Sequence, residues 1–241
     1  MNKKILIVVH QEHSTPGRVG RKLVERGYDL DIRRPCLGHE LPPSTQDFDG
    51  VVVFGGPMSA NDGNELPFIK DEVDWLAVPL KEKTPFLGIC LGAQMLALHL
   101  GARVCVHERG CAEIGYYPIN ATSAGKALFD WPDHVYQWHR EGFELPAGAQ
   151  LLATGPGNFT NQAFRCGETA YGIQFHPEVT LAMMHRWTVR AFHRFVLEGV
   201  RPRESHFTDR LMYDHGVETW LDSFLTHWLD LNDVADRASA A

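Results

Sequence analysis

The sequence predicts an α/β fold with a mixed, mostly parallel sheet, on three observations. Strand-length apolar runs alternate with segments of helical period. The runs Ile5–Val9 and VVVF at 51–54 are continuously apolar, as strands covered on both faces are. From about residue 102 to 175 the pattern breaks into short strand-like pieces, which a purely parallel sheet does not explain.

The elements follow in order. Ile5–Val9 reads as a buried first strand; it is too short for a secretory core or a membrane span. Next, Thr15 is placed to cap a helix, Pro16 suits its first turn, Val19, Leu23 and Val24 form its stripe, and Gly27 ends it. Tyr28, Leu30 and Ile32 alternate as a second strand. Pro35, Pro42 and Pro43 mark a surface loop before the VVVF strand. A helix is expected over Phe68–Leu76, a strand over Pro85–Ile89, and a helix over Leu91–Leu100 that Gly101 stops. The pieces ARVCVHE, EIGYYPI, HVYQWH, QLLAT, QAFRC and AYGIQF read as strands. Residues 180–199 are expected as a helix with Met184, Trp187, Ala191, Phe195 and Val196 on or near one face.

A last helix carries Val217, Leu221, Phe224 and Trp228 at helical spacing, flanked by Trp220, Leu225 and Leu229, before a small polar tail, Asp236–Ala241. Helices normally bury one face, so this stripe is expected on the chain's own core; docking a partner or a second copy in a homodimer is the alternative. The expected organisation is one main domain over 1–199 with a helical extension, 200–241, packed on it.

The chain has 241 residues, 44% hydrophobic and 22% charged, enough to bury a substantial core. A net charge of -7 provides no basic field for nucleic acid or an anionic membrane, and neither is an expected partner. The five cysteines are scattered without CxxC or metal spacing, and no export signal is evident. They are read as free thiols of a cytoplasmic protein.

GICLGAQ, at 88–94, holds a cysteine between two glycines where strand pattern gives way to helix pattern. Gly88-Ile89-Cys90-Leu91-Gly92 fits the nucleophile elbow G-x-S-x-G with Cys for Ser. Such a turn lifts the sulfur from the sheet and leaves the Leu91 amide at a helix N-terminus, where partial positive charge favours a thiolate and an oxyanion. By itself the motif is equally consistent with a buried, inert cysteine. A thiol nucleophile needs a base, and His176 in YGIQFHPEVT stands at a strand end, biased toward extended backbone by Pro177. Extended residues i and i+2 point the same way, so Glu178 is placed to orient its ring. After VVVF, Phe54-Gly55-Gly56-Pro57-Met58-Ser59 permits close backbone approach, and the Gly56 amide is a candidate to join Leu91 at an oxyanion.

These motifs resemble the class I (triad-type) glutamine amidotransferases, and most of all the free-standing relatives of the GMP synthase-like glutamine amidotransferase domain. The matching stretches are FGGPMS (54–59), GICLGAQ (88–94), EIG (113–115), QWHRE (137–141) and GIQFHPE (172–178), in the family's order. The order Cys…His…Glu differs from that of the α/β-hydrolases, which argues against an esterase. The resemblance implies a three-layer, flavodoxin-like fold. It implies Cys90 as nucleophile, His176 as base and then acid, Glu178 as its orienter, and Gly56 and Leu91 amides at the oxyanion. It also implies substrate contacts from Gln94 and from the QWHRE stretch, including Trp138, His139 and Glu141, the last standing where the family often has Asp.

The implied reaction is hydrolysis of the L-glutamine side-chain amide through a thioester, without metal or organic cofactor, feeding ammonia to an acceptor. No nucleotide-binding signature appears, and the residues after the matched region are too few for a synthetase domain, so the acceptor is expected on a separate synthetase subunit. Hydrolysis of another γ-glutamyl peptide or conjugate, or a catalytically idle regulatory subunit, are the alternative readings. No chemistry is assigned to Cys36, Cys105, Cys111 or Cys166.

Overall fold

A computed structural model describes residues 3–239, with side chains through residue 231; Ala240 and Ala241, the end of the expected tail, lie outside the described residues. The elements in chain order are β1 (Lys4–Val8), α1 (Gly17–Glu25), β2 (Asp29–Arg33), β3 (Gly50–Val53), α2 (Pro67–Trp75), α3 (Ala77–Glu82), β4 (Phe86–Ile89) and α4 (Leu91–His99). They continue with β5 (Val104–Val106), β6 (Glu113–Pro118), β7 (Asn120–Ala121), α5 (Ser123–Lys126), β8 (His134–His139), β9 (Glu141–Phe143), β10 (Gln150–Thr154), β11 (Asn161–Cys166) and β12 (Ala170–Ile173). Helices α6 (Leu181–Arg190) and α7 (Arg203–Ser239) follow.

The main sheet has the order β2-β1-β3-β4-β12-β11-β10-β7. The five strands from β2 to β12 pair in parallel and the rest antiparallel, so the sheet is mixed and mostly parallel. Alternation within single strands builds three layers. Ile5 and Ile7 of β1 face one core, with Val19 and Leu23 of α1 and the apolar side of α7; Leu6 and Val8 face the other, with Ile69 of α2 and Met95 of α4. Both faces of these strands are therefore covered, which is why they read as unbroken apolar runs.

Helix α7 buries Val217, Trp220, Leu221, Phe224, Leu225 and Trp228 against its own sheet, with the rim of Trp228 seated over Gly50 of β3. Full burial of each large apolar side chain contributes about 1.5–3 kcal/mol, so this stripe is spent on the chain's own core. The backbone of the expected tail continues the helix as far as Ser239.

Several local expectations are corrected. Thr15 makes no capping bond; Pro16 takes the N-cap position of α1. Val24 lies outside the stripe at 56% exposure, and Val196 is 87% exposed. The helix expected over 180–199 ends at Arg190 and passes into a 3₁₀ turn, Phe192–Val196, with Thr180 as its cap. The helix α3 follows directly on α2, and α5, β7 and β9 are additional short elements. No described helix is long and apolar enough to cross a membrane.

Candidate active site

Three adjacent parallel strands, β3, β4 and β12, deliver their following loops to one sheet edge. Those loops carry Gly55–Gly56, Cys90 and His176 respectively. The β4–β12 ladder continues past the strand end, the Cys90 amide donating to the Ile173 carbonyl at 2.8 Å, and beyond β12 the His176 amide donates to the Tyr136 carbonyl at 2.8 Å. The sulfur-bearing turn is thereby held to β12, and the backbone of His176 to β8, which lies outside the main sheet.

Cys90 has φ 51° and ψ -102°, a conformation that costs a non-glycine residue about 1–3 kcal/mol. The flanking glycines are required by space. A Cβ on Gly92 would stand 2.1 Å from the Val53 carbonyl oxygen, and one on Gly88 would stand 2.5 Å from the Gly92 backbone. The turn thus packs its own strand, its helix and β3 at backbone contact, and only Cys90 bears a side chain at its tip.

His176 and Glu178 are both buried, and His176 Nδ1 donates to Glu178 Oε1 at 2.7 Å. That bond places the remaining basic edge of the ring at Nε2, which is buried and completes no hydrogen bond. A Cβ on Gly55 would lie 2.8 Å from His176 Cε1 and 3.5 Å from Cys90 Cβ, so ring and thiol border the same small space. Burial opposes a charge on His176, but the carboxylate of Glu178 and the sulfur of Cys90 outweigh it, and its pKa is raised. The Trp187 ring meets His176 edge to face at 5.1 Å, and the Arg18 amide anchors the Glu178 carbonyl at 2.8 Å.

Gly56 and Leu91 stand side by side: a Cβ on Gly56 would be 2.9 Å from Leu91 Cδ2. Leu91 opens α4, where an amide has no preceding helical carbonyl to bond. A cleft of about 470 Å³ opens beside these groups, lined by Gly55, Gly56, Cys90, Trp138, His176 and Glu178 among others.

The other residues expected at the substrate make the following contacts. Gln94 Nε2 donates to the Glu141 carbonyl at 2.9 Å and to Gln174 Oε1 at 3.2 Å. His139 Nδ1 donates to the same carbonyl at 2.9 Å, while its Nε2 lies 3.3 Å from Glu113 Oε2. Gln94, His139 and the Glu141 carbonyl are thus joined in one polar cluster, and of the four residues Trp138 is among those lining the cleft. Sequence reading also missed a pair beneath the glycine loop: buried His10 joins the Gly55 carbonyl to the buried carboxylate of Glu72. His10 ends the first apolar run, and that position was its only signal.

Fold and site together define an α/β protein with a cysteine elbow beside a carboxylate-held histidine. The model of the glutamine amidotransferase class-I family matches residues 9–194. The glutamine amidotransferase-like protein YfeJ of Salmonella typhimurium is 33% identical over 186 residues, 74% of this chain and 77% of that one. The glutamine-hydrolysing GMP synthase of Cellvibrio japonicus is 32% identical over 160 residues, 62% of this chain but only 28% of that longer protein. The crystal structure of a glutamine amidotransferase from Thermotoga maritima superposes with a TM-score of 0.85 at 32% identity, covering 95% of this chain and 99% of that one. The chain belongs to the class-I glutamine amidotransferase family.

Proposed function

We propose that the chain hydrolyses the side-chain amide of L-glutamine through a thioester on Cys90 and passes the ammonia to an acceptor on another protein. The observation that carries this reading is the left-handed Cys90 at the strand tip with the His176–Glu178 pair, bonded at 2.7 Å, sharing its space. The Cys90 thiolate attacks the amide carbon, and the oxygen that becomes negative meets the Gly56 and Leu91 amides. Imidazolium His176 protonates the amide nitrogen, and as the tetrahedral adduct collapses the C–N bond breaks and ammonia leaves. Neutral His176 then takes a proton from water, whose oxygen attacks the thioester; glutamate leaves and the thiol is restored. Glu178 keeps the ring in the required tautomer and stabilises its charged form.

Family membership supports the amide-hydrolase part of this reading. An ammonia acceptor fits the likeness to the glutamine-hydrolysing GMP synthase of Cellvibrio japonicus, of which the chain spans 28%. The test is glutamate release from L-glutamine by the purified chain, alone and with proteins that co-purify from its own cell. Cys90→Ala and His176→Ala each abolish turnover while circular dichroism stays that of the folded chain. Turnover retained in either variant overturns the mechanism.

A further inference from the structure

One wall of the cleft beside Cys90 is cationic. Arg186, Arg190 and Arg194 line it at four-residue spacing. The carboxylates that line it are Glu178, which His176 engages, and Glu12, exposed on the rim beside His13. Arg186 donates to the His13 carbonyl at 3.2 Å. Arg194 differs from its neighbours in being partly buried. Burial lowers its pKa, the adjacent Arg140 lowers it further, and the charge of Cys90 opposes both. Among the described residues no carboxylate pairs with Arg140, Arg190 or Arg194.

A guanidinium drawn out of water beside a second guanidinium, with no counter-ion of its own, is destabilising in the empty cleft. The arrangement becomes favourable when a ligand supplies the anion, and the planar fork of arginine suits a carboxylate best. We propose that Arg194, backed by Arg140 and Arg190, recognises a carboxylate of the substrate whose acyl group is transferred to Cys90. The assignment of that carboxylate to a glutamyl substrate rests on the function proposed above; the anion site itself does not. Arg190 and Arg194 line the cleft, and the charge of Arg140 acts on Arg194.

The test compares alkylation of Cys90 by iodoacetate and by iodoacetamide, followed by mass spectrometry of the peptide that carries it. In both reactions the sulfur–carbon bond forms, the carbon–iodine bond breaks and iodide leaves, so the rate ratio reports reagent charge alone. Any effect of a variant on the reactivity of the thiol itself cancels in that ratio. Iodoacetate is expected to be favoured in the unaltered chain, less so at high salt. Arg194→Gln should lower the ratio about tenfold, a change equivalent to one well-placed charged contact. Arg194→Lys should keep most of it, and Arg103→Gln, which removes an exposed arginine paired with Glu144, should leave it unchanged. Should Arg194→Gln fold poorly, the exposed Arg140→Gln and Arg190→Gln carry the same test with smaller losses. A ratio unaffected by these three neutral replacements overturns the proposal. If glutamine is turned over, Arg194→Gln raises KM with kcat largely kept. If glutamine is not turned over, the glutaminase reading fails while the alkylation ratio still decides the anion site.

Discussion

His10 Nε2 lies 2.8 Å from Glu72 Oε2, with both side chains closed off from water, and His10 Nδ1 lies 3.2 Å from the Gly55 carbonyl oxygen. A carbonyl only accepts, so Nδ1 is the donor to Gly55. The Gly55 carbonyl and the Gly56 N–H belong to one planar trans peptide and point in opposite directions. Holding the oxygen therefore aims the amide proposed to meet the oxyanion. Glu72→Gln keeps the volume and removes the charge; kcat for glutamine is expected to fall roughly tenfold or more with a smaller change in KM, because that amide acts mainly in the transition state. Glu72→Ala breaks a buried pair outright and should lower unfolding free energy by about 3–5 kcal/mol in denaturant titration. Equal kcat in Glu72→Gln and the unaltered chain would remove this positioning role.

The backbone at Cys90 makes a second expectation. At ordinary positions Gly is less stable than Ala by roughly 0.5–1 kcal/mol, through the entropy of the unfolded chain. At φ 51° and ψ -102° an Ala carries the same steric strain as Cys, whereas Gly carries none. Cys90→Gly is therefore expected to match or exceed Cys90→Ala in thermal stability, reversing the usual order, while both variants lack turnover. An Ala variant more stable than the Gly variant by the usual margin would mean that the elbow relaxes and is not a strained feature of the chain in solution.

These two residues also show what was legible beforehand and what was not. Cys90 could be found because two glycines at fixed spacing leave a local trace, and the unbroken apolar runs announced strands covered on both faces. His10 left no such trace: its partner is 62 residues away in α2, and nothing local to either residue signals the pairing. The same holds for the partners of Gln94 and His139, which lie on β9, on β6 and after β12. The premature end of α6 went unseen because no proline or glycine marks it, and residues 192–196 continue in a tighter helical turn.

The His176–Glu178 bond sets the pH dependence. Burial works against a charged His176, and Glu178 with Cys90 reverses that, so the imidazolium persists to higher pH than in a free histidine. Replacing Glu178 by Gln removes one of the two supports. The histidine then loses its proton at lower pH, and the basic limb of kcat/KM moves toward acid by about one unit or more. Turnover should fall less than in Cys90→Ala, since the amide still accepts the Nδ1 hydrogen bond. A basic limb at the same pH in both proteins would show that some other group titrates there.

Helix α7 is held to α1 by charge as well as by its apolar stripe. Lys22 Nζ lies 2.6 Å from Asp222 and 3.2 Å from Glu218, and Arg26 lies 2.8 Å from the other Asp222 oxygen. Burial would raise the Asp222 pKa, but the bonds from Lys22 and Arg26 outweigh it and hold it below the ordinary carboxylate range. A depressed folded pKa means stability that is present above the unfolded value, about pH 4, and is lost as pH falls through the folded one. The pair is partly solvated, so its contribution is at most about 1 kcal/mol, or roughly 2–4 °C in melting temperature for a chain of this size. Asp222→Asn should melt lower than the unaltered chain by that amount at pH 7, and the two curves should converge as acid protonates Asp222 below about pH 4. The apolar stripe does not titrate, so a gap that persists unchanged into acid would assign the loss to packing instead of to this carboxylate.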